Sequence, residues 1–355
     1  MKVVFRADSS QIIGSGHVMR CMTLANHLRE KGAEILFICR ELPGNIISVV
    51  EKNGFKVFHL SHDSGVNQLG SYVSWLGASL EKELDEVGNC LAQIGEINWL
   101  IADHYSLDYH WENMLRKHAK HIMVIDDLAN RKHDCDILLD QNYYLDMGKR
   151  YIDLVPPHCN LLLGPKYALL RKEFGEAREK AKVRDGCVKR ILLFMGGADL
   201  SNETKKALDA LNEIKFLGIV DVVVGTQNQH QEEIKNICEK NKYYNFYCQV
   251  DNMAELMLKA DLAIGAGGSA TWERCYLGLP SFVITLADNQ EKLARDTHDF
   301  GAIVYVGNNT IKLNELVLKL KDNIYDHAKI RAMSEKSFAL VDGLGVSRVG
   351  AYATI

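Results

Sequence analysis

The feature that most constrains this chain is an alternation kept from end to end: short apolar runs separated by stretches of helical period. VVFRA, EILFIC, FKVFHL, NWLIAD and HIMVIDD are each too short for a buried helix and carry no polar face. Such runs read as strands of a parallel sheet covered on both sides. Between them the spacing predicts helices near Val18–Lys31, Asn45–Asn53, Leu80–Ile94 and Tyr109–Lys120, and CDILLD adds a sixth strand. A second series starts at VKRILLFMGG and runs through GIVDVVVG, YYNFYCQV, LAIGAG, PSFVITL and AIVYVG. Its helices fit at Asn202–Glu213, Gln231–Glu239, Met253–Ala260, Ala270–Tyr276 and Asn289–Phe300.

The expected fold class is therefore α/β, with two Rossmann-like, doubly wound parallel-sheet domains facing a cleft. The charged stretch REKAKVRDG, from Arg178 to Gly186, is the expected linker. It sets the domains at 1–178, carrying the loop with His17, and 187–355, with a C-terminal helix after Thr310 that crosses back.

Charge and cysteine content narrow the function classes. The formal net charge of −4 favours neither nucleic acid nor membrane as a partner. No apolar run reaches the ~18 residues of a membrane span, and the apolar start MKVVF is too short for a secretory signal. Nine cysteines include no CxxC pair, which argues against disulfides or a zinc cluster and fits a reducing cytoplasm. No metal site is expected, and no cofactor.

The glycine-rich turns carry the chemistry. In LAIGAGGSATWERCYLGLP a strand leads through Gly265, Gly267 and Gly268 into a helix that Ser269 can cap. Glycines there let a backbone approach a pyrophosphate, and helix-start N–H groups suit its charge. Glu273 falls one turn on, where a carboxylate can accept from a ribose diol; a plain tight turn with a surface glutamate is the other reading. FMGGADLSN repeats the arrangement, with Gly197 in the turn and Ser201 opening a helix. Neither loop has a Walker lysine or a GxGxxG spacing, which disfavours an ordinary NTPase or dinucleotide site. The turn Asp251–Met253 can offer backbone groups to a base edge, though the Met and Leu spacing there is mainly core. Asn289 and Gln290, at a helix start in TLADNQ, can meet sugar or phosphate oxygens.

In GSGHVMRC, Gly14 and Gly16 permit a tight turn and place His17 at a helix N-terminus. The positive end of a helix dipole disfavours imidazolium, so a neutral ring there can act as a general base. A polar helix-start residue with no reaction is the alternative. IADHYSLD puts Asp103, His104 and Tyr105 at the end of another strand, and VIDDLANR puts Asp126 and Asp127 at the end of a third. Of these Tyr105 is the expected sugar contact, while His104 packs.

Taken in order, RADSSQIIGSGHVMRC, IADHYSLD, IDDLANRKHDCDILLDQN, LLGPKYALLRKEF, MGGADLSN and GAGGSATWERCYLGLP resemble the UDP-sugar hydrolases of the pseudaminic acid pathway. The resemblance runs from Met1 to the GLGVSRV tail. That family is similar to the GT-B glycosyltransferases, notably the lipid-II-forming N-acetylglucosaminyltransferase, in which the second domain binds UDP. The resemblance implies hydrolysis of UDP-2,4-diacetamido-2,4,6-trideoxy-β-L-altropyranose, with C–O cleavage and inversion at the anomeric carbon. It assigns His17 as the catalytic residue and places Tyr105 and Asn289 near the sugar. Read from the turns themselves, Gly14, Gly16 and Gln290 also fall to the sugar. Gly197, Met253, Gly268, Ser269 and Glu273 fall to UDP. It implies a route to flagellin glycosylation, with separate acetyltransferase and synthase enzymes as pathway partners. Two other readings stay open: a GT-B glycosyltransferase with an unknown acceptor, and a non-catalytic nucleotide-sugar-binding protein. A UDP-sugar 2-epimerase fits the motifs less well. The segment Ser61–Trp75 matches no motif and is expected to be a loop over the cleft.

Overall fold

The computed structural model describes residues 1–63 and 72–353. Most of the segment expected as a loop, residues 64–71, lies outside the described residues. The chain divides into two compact units. Unit 1 is Met1–Asn142, Asp146–Leu169 and Leu344–Ile355; unit 2 is Tyr143–Leu145 and Leu170–Gly343.

Unit 1 alternates β1 (Lys2–Ala7), α1 (Gly16–Glu30), β2 (Glu34–Arg40), α2 (Ile47–Lys52), β3 (Lys56–Leu60), α3 (Leu80–Ile94), β4 (Ile97–Asp103), α4 (Tyr109–Leu115), β5 (Ala119–Ile125), β6 (Ile137–Asp140) and β7 (Asn160–Leu163). The seven strands are parallel, in the order β3-β2-β1-β4-β5-β6-β7. Both faces are buried, as the unbroken apolar runs require. Val3, Phe5 and Ala7 of β1 join a core with Val18, Cys21 and Leu24 of α1. Val4 joins a second core with Val87 of α3 and Trp111 of α4. Strand alternation sends neighbours to opposite faces, so one apolar strand feeds two cores.

Unit 2 holds α5 (Lys172–Arg178), β8 (Arg190–Phe194), α6 (Glu203–Glu213), β9 (Ile219–Val224), α7 (Gln231–Glu239), β10 (Tyr244–Cys248), α8 (Met253–Lys259), β11 (Leu262–Ala266), α9 (Ala270–Tyr276), β12 (Ser281–Thr285), α10 (Asn289–Phe300), β13 (Val304–Asn308), α11 (Leu313–Ile324) and α12 (His327–Leu340). Its six parallel strands run β10-β9-β8-β11-β12-β13. In both sheets the order reverses beside the first strand of the unit, β1 or β8. That is the switch point where open α/β sheets bind ligands, beyond the strands' carboxyl ends.

The last helix, α13 (Gly345–Ala353), belongs to unit 1 and packs on α1. Gly345 meets the backbone of Tyr167 and Ala168 so closely that no Cβ would fit. The segment expected as a linker is docked on unit 2 instead. Arg184 donates to the carbonyls of Met257 (2.9 Å) and Ala260 (3.2 Å), and its N–H to Ser334 Oγ (2.9 Å). Arg178 donates to Phe338 O at 3.1 Å. Two arginines of the stretch that reads as solvated linker are thus spent on helix-end carbonyls, and the long segment of unit 2 starts at Leu170 rather than beyond Arg178. No helix among the described residues is long and apolar enough to cross a membrane.

Candidate active site

Three loops at the carboxyl ends of β1, β4 and β5 bring the unit 1 residues together. The β1–α1 turn reverses through Gly14, whose φ of +77° is left-handed and whose N–H donates to Ser10 O at 2.9 Å. Gly16 begins α1 and His17 is its second residue. The imidazole is 8% exposed, and its Nδ1 lies 2.6 Å from Asp103 Oδ1 at the end of β4. Burial pushes the Asp103 carboxyl up, but Arg20 and His17 outweigh it and hold it well below the usual carboxylate range. An ionised carboxylate only accepts, so Nδ1 carries a proton, and in the neutral ring the lone pair lies on Nε2. A histidine oriented this way is built to take a proton at Nε2.

Arg20 braces the same carboxylate, and Tyr105 closes the other side. The tyrosine ring stands edge-on to the imidazole with centroids 4.6 Å apart, and its hydroxyl donates to Asp127 Oδ1 at 2.5 Å. Trp75 stacks on Tyr105 at 5.5 Å, and Tyr72 meets both rings. His104 packs, as expected: it is 3% exposed and its Nδ1 accepts the Ser106 N–H at 3.1 Å. Burial pushes it down to about 4, so it is neutral near pH 7. Behind it Arg6, Asp8, Arg40 and Glu83, all fully buried, form an ion network that fixes the ends of β1 and β2.

Asp126 and Asp127 part company. Asp126 is buried against Arg131 at 2.7 Å and accepts the Ala129 N–H at 3.0 Å. Asp127 faces the Arg20 and Tyr105 side. Next to them Asp140, at the end of β6, is buried by Tyr151 and Arg150. Burial and the neighbouring Asp127 push its carboxyl up to about 8.

The unit 2 candidates lie after four strands: Gly197 after β8, Met253 after β10, Gly268, Ser269 and Glu273 after β11, and Asn289 and Gln290 after β12. A Cβ at Gly268 would meet nothing, and the same holds at Gly197. At neither position does packing alone demand glycine. Ser269 is the N-cap residue of α9, but its side chain makes no capping bond, contrary to expectation. Gln290 Oε1 accepts the Leu286 N–H at 3.0 Å and lies beside Gly267, so it joins two loops. Asn289 is the first residue of α10. Met253 begins α8 with its side chain in the core, as the spacing indicated. Glu273 Oε1 accepts from Arg171 Nε at 3.2 Å. Burial pushes the Glu273 carboxyl up, opposed by that guanidinium.

The second glycine loop needs a correction. Ser201 does not open a helix: α6 starts at Glu203 with Asn202 as its cap. Asp199 takes the N–H groups of Glu203 and Thr204, both at 2.9 Å. A buried carboxylate already fills that helix start, so a phosphate there would meet like charge. Among the described residues no group of three or more His, Cys, Asp or Glu is placed to hold a metal ion.

The sequence pattern placed Asp103, Tyr105 and Asp127 at neighbouring strand ends but gave Arg20 no role beside His17. Arg20 follows it by three, the spacing that puts two side chains on one helix face, and that signal was available. The partnership with Asp103, 86 residues away, had no local signal.

The comparisons with known proteins fit this geometry. Residues 191–344 match the glycosyltransferase family 28 C-terminal domain. MurG of Acinetobacter baumannii superposes with a TM-score of 0.67 over 99% of each chain at 13% identity. The fold is GT-B-like. The UDP-2,4-diacetamido-2,4,6-trideoxy-β-L-altropyranose hydrolase of Campylobacter jejuni is 26% identical over 295 residues, 83% of this chain and 95% of that one. An uncharacterized protein of Methanocaldococcus jannaschii is 27% identical over 307 residues. This chain spans only 58% of that relative's length. In GT-B terms His17 sits on the first unit, and the family 28 match covers the second from residue 191 to its last residue, Gly343, and ends one residue beyond it.

Proposed function

We propose that this chain hydrolyses UDP-2,4-diacetamido-2,4,6-trideoxy-β-L-altropyranose to UDP and 2,4-diacetamido-2,4,6-trideoxy-L-altrose. The observation that carries the reading is His17, held through Nδ1 by Asp103 at 2.6 Å, in a chain similar to a hydrolase of that name across 95% of its length. Nε2 of His17 takes the proton of a water, which attacks the anomeric carbon; the C–O bond breaks with inversion and UDP leaves with the bonding pair. Asp103 keeps the proton on Nδ1, so that loss of the proton from Nε2 restores the same tautomer. The ring of Tyr105 and the loops at Gly14 and Gly16 are assigned to the sugar, as are Asn289 and Gln290. The loop at Gly268 and Ser269 holds the pyrophosphate, Glu273 the ribose, and the backbone at Met253 and Gly197 the rest of the nucleotide. Turnover needs no divalent ion, so EDTA leaves the rate unchanged; a rate abolished by EDTA and restored by magnesium contradicts this. The product serves pseudaminic acid synthesis and flagellin glycosylation in the cytoplasm, next to separate acetyltransferase and synthase enzymes.

A glycosyltransferase is the second reading, favoured by the family 28 match and the likeness to MurG. Incubation with the UDP-sugar in buffer alone separates the two. A hydrolase releases UDP with no acceptor present, whereas a transferase releases it only once an acceptor is supplied. A protein that only binds nucleotide sugar releases none in either case.

A further inference from the structure

Arg20 stands at the centre of a closed ring of contacts around His17. Its Nε donates to Asp103 Oδ2 at 2.6 Å and its Nη2 to Asp103 Oδ1 at 2.7 Å, a fork-on-fork pair. Nη1 reaches Asp127 Oδ2 at 3.1 Å. The Asp103 oxygen facing Nη2 is the one that meets His17, and the other oxygen of Asp127 accepts from Tyr105. The edge contact of Tyr105 on His17 completes the ring. His17, Arg20 and Tyr105 are each 8% exposed and Asp103 is fully buried, so water screens little of this.

A bare carboxylate against an imidazole favours the protonated ring. A general base needs the opposite, a ring free to accept a proton. The groups facing Asp103 and His17 are Cys21 on α1, His104 and Tyr105 after β4, Asp127 after β5, and the Arg6–Asp8 pair behind His104. Cys21 Sγ is 3.5 Å from Asp103 and neutral, because burial drives its thiol well up. Of these groups and Arg20, the cation in contact with Asp103 is Arg20.

Resting on the hydrolase reading above, we propose that Arg20 is a positioning residue for the reaction. It absorbs the charge of Asp103, so the carboxylate fixes the tautomer and orientation of His17 without holding the ring protonated. Through Asp127 it locks Tyr105 into the same unit. Asp103 thus acts on His17 mainly as a hydrogen-bond acceptor.

The test compares wild type with Arg20→Gln, which removes the charge, and Arg20→Lys, which keeps the charge but loses the fork. The readout is kcat/KM for the UDP-sugar across pH. In Arg20→Gln the acid limb moves up by about one unit or more, the usual effect of exposing an imidazole to an uncompensated carboxylate. The loss at low pH then exceeds the loss at high pH by about tenfold or more. Arg20→Lys keeps the wild-type limb with a lower plateau. An equal loss at every pH, or no loss, overturns the proposal, since a purely structural residue moves the plateau alone. If Arg20→Gln does not fold, a displaced limb in Arg20→Lys overturns it. If wild type releases no UDP at all, the hydrolase reading fails on its own. The proposal is then decided by the His17 ring signal in NMR, assigned by its loss in His17→Asn. A titration shifted to higher pH in Arg20→Gln supports it, and an unshifted one overturns it.

Discussion

His17 Nδ1 and Asp103 Oδ1 lie 2.6 Å apart although 86 residues separate them in the chain. The parallel pairing of β1 with β4 makes this contact. Ala7 pairs with Asp103, so the loop leaving β1 and the end of β4 emerge side by side. A histidine held by a carboxylate at the carboxyl edge of such a sheet has one ring nitrogen committed and one free to work.

His17→Asn keeps size and some hydrogen bonding but cannot take a proton near neutral pH. General-base catalysis contributes roughly 10²–10⁴-fold, so kcat should fall by that factor. UDP affinity should barely change, because the residues assigned to UDP lie in unit 2. Steady-state kinetics with calorimetry checks this. Near-normal turnover by the variant would remove His17 from the mechanism.

Much of this was legible in the sequence, for a physical reason. Strands covered on both faces must be apolar throughout, so twelve of the thirteen strands among the described residues could be located by their runs alone. The thirteenth, β7, is four residues long, and two of them, Asn160 and Leu161, are exposed, so it left no such run. The helix expected to reach Lys120 stops at Leu115, because a tight turn at Arg116–His118 hands the chain to β5. The places of His17 and Tyr105 were readable because a glycine turn and the end of an apolar run mark the loops that carry them. The bracing by Arg20, the helix start filled by Asp199 and the proton-binding Asp140 depend on partners brought close only by folding.

Glu273 is half-buried against Arg171 rather than free on the surface. If the ribose hydroxyls donate to it, Glu273→Ala removes a charge-assisted hydrogen bond worth about 1.5–3 kcal/mol. UDP affinity should fall about tenfold or more. The fold should lose little, since Arg171 keeps 31% of its side chain in solvent and such pairs are weak. An unchanged dissociation constant in calorimetry would take Glu273 out of the site.

Asp140 makes stability depend on pH in an unusual direction. Its carboxyl is pushed up to about 8 in the folded chain, against about 3.9 when unfolded. Between those values the folded state binds the extra proton, so this group's contribution is fully present below about pH 4 and falls as pH rises toward 8. Asp140→Asn keeps the shape and removes the titration. The variant should therefore gain Tm relative to wild type as pH rises from 5 to 8. A gap between the two melting curves that stays constant across that range would show that Asp140 does not carry the proton.

The central claim is that water attacks the anomeric carbon under the control of His17. Running the reaction to early times in ¹⁸O-labelled water and weighing both products tests it most directly. Attack at carbon leaves UDP unlabelled and puts one ¹⁸O in the released sugar, and His17→Asn slows the appearance of that label. Label in UDP would place the attack at phosphorus and contradict the account.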